Sequence, residues 1–213
     1  MRNAIVLLLL SGCSEDFTLP QGFLFGTATA GFQVEMGCPT VPAAQCEDPN
    51  SDWYVYITRP ELRADAGLFL EGDPPSKGPG FFELYPQDLD RAANELHNNS
   101  FRLSIEWSRL FPTATDGATT FDELHALASP AALDYYHALF AAMKARNLAP
   151  LVTLNHYTLP SWIHDAYGCH VDLAGCSPRG WLDHDRIIAE MAKYAGFVGK
   201  EFGGEIDRYA TLN

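Results

Sequence analysis

The chain has 213 residues, 47% of them hydrophobic and 19% charged, the composition of a globular domain and not of a disordered tail. With 27 acidic against 14 basic side chains the net charge is -13, which repels nucleic acid and anionic lipid and excludes functions that need a basic surface. Acidity of this kind keeps an exported protein soluble.

The N-terminus, MRNAIVLLLLSGC, places one Arg before seven apolar residues, Ala4 to Leu10, and then a small-residue site. This is the pattern of a short signal peptide, too short to span a bilayer as a helix. Leu10-Ser11-Gly12-Cys13 resembles a bacterial lipobox, in which cleavage precedes the Cys and the thiol is lipidated. An ordinary signal peptide cut nearby, or a buried strand, is the alternative. The favoured division is residues 1–13 as signal peptide, 14–22 as tether and 23–213 as folded domain, with the protein held in the bacterial cell envelope by a lipid on Cys13.

Export makes the other cysteines readable. Cys38, Cys46, Cys169 and Cys176 allow three pairings. Cys38–Cys46 and Cys169–Cys176 are favoured, because each closes a short Gly/Pro-containing loop in an oxidising compartment. A metal site is discounted, since no C-x-x-C spacing or regular His pair is present.

Phe23–Phe32 reads as a buried strand with small residues where backbones approach closely. A long irregular region extends from Cys38 to about Gly80, a length that is usually functional in a compact domain. Leu89, Ala92, Ala93 and Leu96 then share one helical face. "SFRLSIEW" is a second strand. Ser129-Pro130 is a helix start, with Ser as N-cap and Pro at the first position, and Leu133, Tyr136, Leu139, Phe140 and Met143 come next at helical spacing. "APLVTLN" is a third strand. After a loop from His156 to about Leu182, a helix carrying Ile187, Ile188, Met191, Tyr194, Ala195, Val198 and Phe202 stops at Gly203-Gly204. "RYATLN" is the fourth strand.

Strands alternating with helices argue for parallel pairing with right-handed crossovers. The two candidates are a doubly wound sheet and a (β/α)8 barrel. The first turn, "GFQVEMG", lacks a glycine-rich phosphate loop. Polar and aromatic residues instead collect after strand ends: Gln33 and Glu35, Glu106 and Trp107, His156 and Tyr157, Asn213. In a barrel these positions share one mouth. The fold expected is therefore an α/β (β/α)8 TIM barrel of which strands 1–4 and their helices are present.

"FLFGTATAGFQVE", "FRLSIEWSRLFP", "LVTLNHYTLPSW" and "YATLN" together resemble family 1 glycoside hydrolases, retaining β-glycosidases on a (β/α)8 barrel. The resemblance covers about Phe23 to Asn213. It implies that Gln33 and His156 bond sugar hydroxyls, that Asn213 bonds the sugar 2-OH, and that Tyr157, where the family more often has Trp, forms an aromatic wall. It implies that Arg102 lies near the nucleophile and helps hold it ionised. The family's acid/base Glu directly follows the Asn matched by Asn213, and its nucleophile Glu comes much later. The expectation is thus an incomplete fragment, the N-terminal half, with no catalytic Glu of its own and no activity alone. Such an enzyme needs no cofactor and no metal, since two carboxyls about 5–5.5 Å apart suffice.

Within the residues themselves, Glu35 and Glu106 are the other carboxylates near strand ends. They form either a catalytic dyad or, as preferred, structural groups, with an inward Arg102–Glu106 pairing on the face that Arg102, Ser104 and Glu106 share by alternation. Trp107 and Trp162 read as packing residues. Met36 is inserted relative to the family's usual "QVEG", at the mouth where outer subsites bind the leaving group. Asn98-Asn99-Ser100 matches a glycosylation sequon and is read as chance. The expected partner is a β-linked oligosaccharide or an aryl or alkyl β-glycoside; nucleic acid is not expected, membrane only through the lipid anchor. A 6-phospho-β-glycosidase of the same family and a non-catalytic glycan-binding lipoprotein are the competing readings.

Overall fold

The structure, a computed structural model, describes residues 18–64, 73–206 and 208–213. Cys13 and the segment expected to be a signal peptide lie outside the described residues. Four strands form one parallel sheet in the order β1 (Gly26–Ala28), β2 (Ser100–Ser104), β3 (Ala149–Asn155) and β4 (Arg208–Leu212). The helices in chain order are α1 (Gly31–Val34), α2 (Ala43–Cys46), α3 (Asp52–Thr58), α4 (Pro60–Ala64) and α5 (Phe81–Asp90). Then come α6 (Trp107–Leu110), α7 (Phe121–Leu127), α8 (Pro130–Ala145), α9 (Ala166–Val171) and α10 (His184–Glu201).

Alternation along the strands separates two faces. Phe101, Leu103, Val152 and Leu154 are buried in the core shared with the helices. Arg102, Ser104, Thr153 and Asn155 carry polar groups on the other side, where Arg102 Nη1 reaches Thr153 Oγ1 at 3.3 Å. α8 forms where expected: the Ser129 hydroxyl accepts from Ala132 N, Pro130 occupies the first position, and all five predicted apolar residues are buried. In α10, Ile187, Tyr194 and Val198 are buried and Phe202 caps the end. Ile188, expected on the same face, is 56% exposed, because it sits about 100° around the helix from Ile187.

Three expectations change. β1 is three residues long and not a buried strand over Phe23–Phe32: Phe23 and Phe25 are exposed, and the chain turns into α1 at Gly31. Among the described residues β1 pairs only with β2. The close backbone approach is real, since a Cβ on Gly26 would lie 2.7 Å from Ser100 O. Second, the helix before β2 begins at Phe81 and passes into a π-helical turn, Arg91–Glu95. The wider turn rotates the residues after it around the axis, so Leu89 and Ala92 are buried while Leu96 is 60% exposed.

Third, the region from Cys38 to Gly80 is not simply irregular. It holds α2, α3, α4 and a 3-10 turn, Pro75–Lys77. α3 is docked on the loop after β3 through Asp52, which receives Leu159 N at 2.9 Å and holds His164 Nδ1 at 2.7 Å. Cys38 is bonded to Cys46 and Cys169 to Cys176.

Candidate active site

Gln33, His156 with Tyr157, and Asn213 follow the C-terminal ends of β1, β3 and β4, and Arg102 lies within β2. Arg102 on β2 donates from Nη1 to Asn213 Oδ1 at 2.9 Å. Asn213 directly succeeds β4, and its backbone N–H donates to Asn155 O at 3.1 Å. His156 comes immediately after β3. It is buried, and its Nδ1 has no partner among the described residues. Burial, helped by the Arg102 charge, lowers its pKa, so the imidazole is neutral near pH 7 and has one donor and one acceptor nitrogen.

Gln33 stands exposed on α1, after β1, and lines a cleft of about 200 Å³ with Phe32, Met36 and Lys77. Met36 is buried there. Tyr157 is half exposed at a φ of +70°. A bulky side chain in the left-handed region is uncommon and marks a constrained turn. Its ring lies parallel to Trp53 of α3 at 5.8 Å, and Phe32 meets Trp53 edge-on at 5.7 Å. This aromatic row joins the turn carrying Gln33 to the turn carrying His156. Trp107 stacks on Tyr194 at 4.8 Å, and Trp162 donates to Phe111 O, both packing roles.

Glu35 and Glu106 lie beneath this mouth, each 2% exposed. The expected Arg102–Glu106 pairing is absent, because Arg102 is engaged with Thr153 and Asn213. The buried cation is Arg109 of α6, whose Nε donates to Glu35 Oε2 at 3.0 Å and whose Nη2 donates to Cys46 O at 2.8 Å. Burial raises Glu35, Arg109 pulls it back, and nearby Asp48 adds to the rise. Glu106 is pushed up to about 7, first by burial and then by Glu35. Its oxygens accept from Ser104 Oγ at 2.9 Å and Thr158 Oγ1 at 2.6 Å. Enclosed and hydrogen-bonded, the two carboxyls are not presented to a substrate as a dyad.

Sequence reasoning missed Trp53, Asp52, Thr158 and Arg109. A signal existed for α3: Ser51-Asp52 is a helix start, and Trp53, Tyr56 and Ile57 recur at helical spacing. For Arg109 there was none, since either arginine of "FRLSIEWSR" fits beside a carboxylate.

The family description "Glycosyl hydrolase family 1" matches residues 15–213. The chain is 34% identical to the β-galactosidase of Saccharolobus solfataricus over 92% of its own length and 42% of that protein. To β-glucosidase 24 of Arabidopsis thaliana it is 32% identical over 91% of its length and 30% of the relative. Among solved structures, the β-glycosidase of Thermosphaera aggregans superposes with a TM-score of 0.83 at 30% identity, over 92% of this chain and 43% of that one. The β-glucosidase of Pyrococcus furiosus gives 0.80 at 32%, over 92% and 43%. The chain thus spans less than half the length of the relatives it matches, and its parallel sheet corresponds to strands 1–4 of their (β/α)8 barrel. With four strand-end motifs, their geometry and the whole folded length in agreement, the chain belongs to glycosyl hydrolase family 1.

Proposed function

We propose that this chain is the N-terminal portion of an exported retaining β-glycosidase that hydrolyses O-glycosyl bonds by double displacement. The observation that carries the reading is the convergence of Gln33, His156 and the Arg102–Asn213 pair at one end of the sheet in a family 1 chain. Arg102 occupies Asn213 Oδ1, which leaves the amide Nδ2 as a donor to a sugar hydroxyl. His156, neutral and short of a partner on Nδ1, offers a second polar contact. Tyr157 and Trp53 supply apolar ring faces against which a pyranose or an aryl group packs.

The two glutamates belong to the remainder of the barrel in this proposal, the acid/base directly after Asn213. Arg102 then holds the incoming nucleophile carboxylate ionised. The substrate is a β-linked oligosaccharide or an aryl or alkyl β-glycoside, the product a free sugar, and a lipid on Cys13 keeps the enzyme in the cell envelope. Labelled fatty acid incorporated in a Cys13-dependent manner tests the anchor.

The activity is tested on the complete gene product with aryl β-glucoside and β-galactoside. Hydrolysis is expected, with kcat/KM lowered on the order of a hundredfold or more by Asn213→Ala, as for loss of a contact that strengthens in the transition state. A complete protein that binds β-glycosides but hydrolyses none supports the non-catalytic glycan-binding reading instead.

A further inference from the structure

Glu106 has no part in the reaction proposed above, yet it touches both turns that carry sugar contacts. On one side Ser104 Oγ donates to its Oε1 at 2.9 Å and itself accepts from Gly31 N at 2.8 Å. Gly31 opens α1, the turn bearing Gln33. On the other side Thr158 Oγ1 donates to Oε2 at 2.6 Å. Thr158 N donates to His156 O at 2.9 Å, and its carbonyl accepts from Asn155 Nδ2 at 2.8 Å, so Thr158 closes the turn bearing His156 and Tyr157. Glu106 is itself pinned, its backbone N–H donating to Tyr136 Oη at 2.8 Å. Contact with α1 is direct: a Cβ on Gly31 would lie 2.5 Å from Glu106 Cγ.

We propose that Glu106 is a positioning residue, a buried carboxyl that sets the spacing between the Gln33 turn and the His156 turn and hence the shape of the sugar site. The inference rests on the reading of Gln33 and His156 as sugar contacts. A purely structural carboxyl requires only a partner for its charge. Here the one guanidinium of the cluster, Arg109, pairs with Glu35, and Glu106 is left with two hydroxyl donors, Thr158 in the His156 turn and Ser104 at the end of β2, which in turn holds Gly31 N of the Gln33 turn.

The groups that face Glu106 are Glu35 and Asp48 from the loop after β1, Arg109 of α6 beside Glu35, Tyr136 of α8 and Tyr194 of α10. Ionised, Glu106 accepts from both Ser104 and Thr158. Protonated, one oxygen becomes a donor, and one of the two hydroxyls must turn away or reverse its bond. The linkage between the two turns therefore weakens as the carboxyl takes up its proton, and substrate affinity falls with it toward acid pH.

The test uses the complete protein, aryl β-glucoside and the variants Glu106→Ala, Glu106→Gln and Thr158→Val. Glu106→Ala is expected to lower kcat/KM by about tenfold or more, and Glu106→Gln, which stands in for the protonated carboxyl with one acceptor and one donor on the same frame, to fall between the Ala variant and wild type and to flatten the pH dependence of KM near neutrality. In a His156→Ala background Glu106→Ala should change kcat/KM by less than about twofold, since residues acting through one another are non-additive. Additive losses, or a Gln variant as impaired as the Ala variant, overturn the inference. If Glu106→Ala fails to fold, Thr158→Val, which removes one bond only, carries the same cycle. If the wild-type protein hydrolyses no β-glycoside, the functional reading fails by itself. The His156 imidazole NMR signals then decide the positioning role: they shift in Thr158→Val and Glu106→Ala if it is right and stay unchanged if it is wrong.

Discussion

At the scale of single residues the site depends on where buried charge finds its partner. The sequence placed two arginines and two glutamates within reach of the strand ends. Alternation correctly put Ser104 and Glu106 on one face, where they share a 2.9 Å bond, but it did not tell which arginine turns toward which acid. That choice is made by α6: a single turn after β2 swings Arg109 back to Glu35 and Cys46 O, leaving Arg102 for Asn213. His156 and Asn213 were legible because each sits directly at a strand end. Trp53 was not, since it reaches Tyr157 through a helix held by contacts distant in sequence.

Glu106 gives a residue-scale prediction. Its pKa rises from an ordinary 4.5 to about 7, so the folded state keeps a proton that the unfolded chain releases. Its contribution to stability is fully present below pH 4.5 and is lost as pH rises through about 7, a swing on the order of 3 kcal/mol. Glu106→Gln in the complete protein should therefore unfold at higher denaturant than wild type at pH 8 and show a smaller difference, or none in its favour, at pH 4.5. Urea midpoints across that range check it; an equal difference at both pH values is the contrary result.

At the scale of elements, α8 and α10 were readable because cap, period and stop signal agree: Ser129-Pro130 opens one and Gly203-Gly204 lies just past the end of the other. The helix before β2 departs from its expected face because Pro86 stands inside α5 and a π turn succeeds it, and both break the period on which the reading depends. α3 carries a start signal and helical spacing, but seven residues are too few to form a helix without tertiary packing; Asp52 supplies it by fixing them to the loop after β3.

His137 ties two of these elements together. Its Nδ1 meets Glu205 at 2.7 Å and its Nε2 meets Glu201 at 3.1 Å, joining α8 to the end of α10 and the turn before β4. Burial opposes its charge, but the two carboxylates prevail and raise its pKa. The stabilisation is present below the ordinary His pKa of about 6.5 and fades as pH rises through the raised value. His137→Ala should lower the melting temperature of the complete protein more at pH 6 than at pH 9. The side chain is 40% exposed, so the effect should shrink in about 1 M salt. A salt-independent loss equal at both pH values contradicts the ion-pair account.

At the scale of the whole molecule the parallel sheet was predictable from strand-helix alternation, and the barrel from the polar residues gathered after strand ends. Among the described residues β1 and β4 are each paired on one side only, and Phe23, Phe25, Leu96 and Leu212 are exposed. Parallel strands are stable when covered on both faces and closed at the edges, and open apolar edges associate. Residues 14–213 expressed alone should be insoluble or molten and hydrolyse nothing; a soluble monomer with one sharp thermal transition is the opposite result.

The central claim, that these four strand ends form the sugar-binding half of a retaining glycosidase, is tested most directly by the anomer first released. Proton NMR is recorded while the complete protein hydrolyses an aryl β-glucoside. The two-carboxylate mechanism with a covalent intermediate predicts that the β-anomer appears first and the α-anomer only at the rate of mutarotation. Initial release of the α-anomer would contradict it.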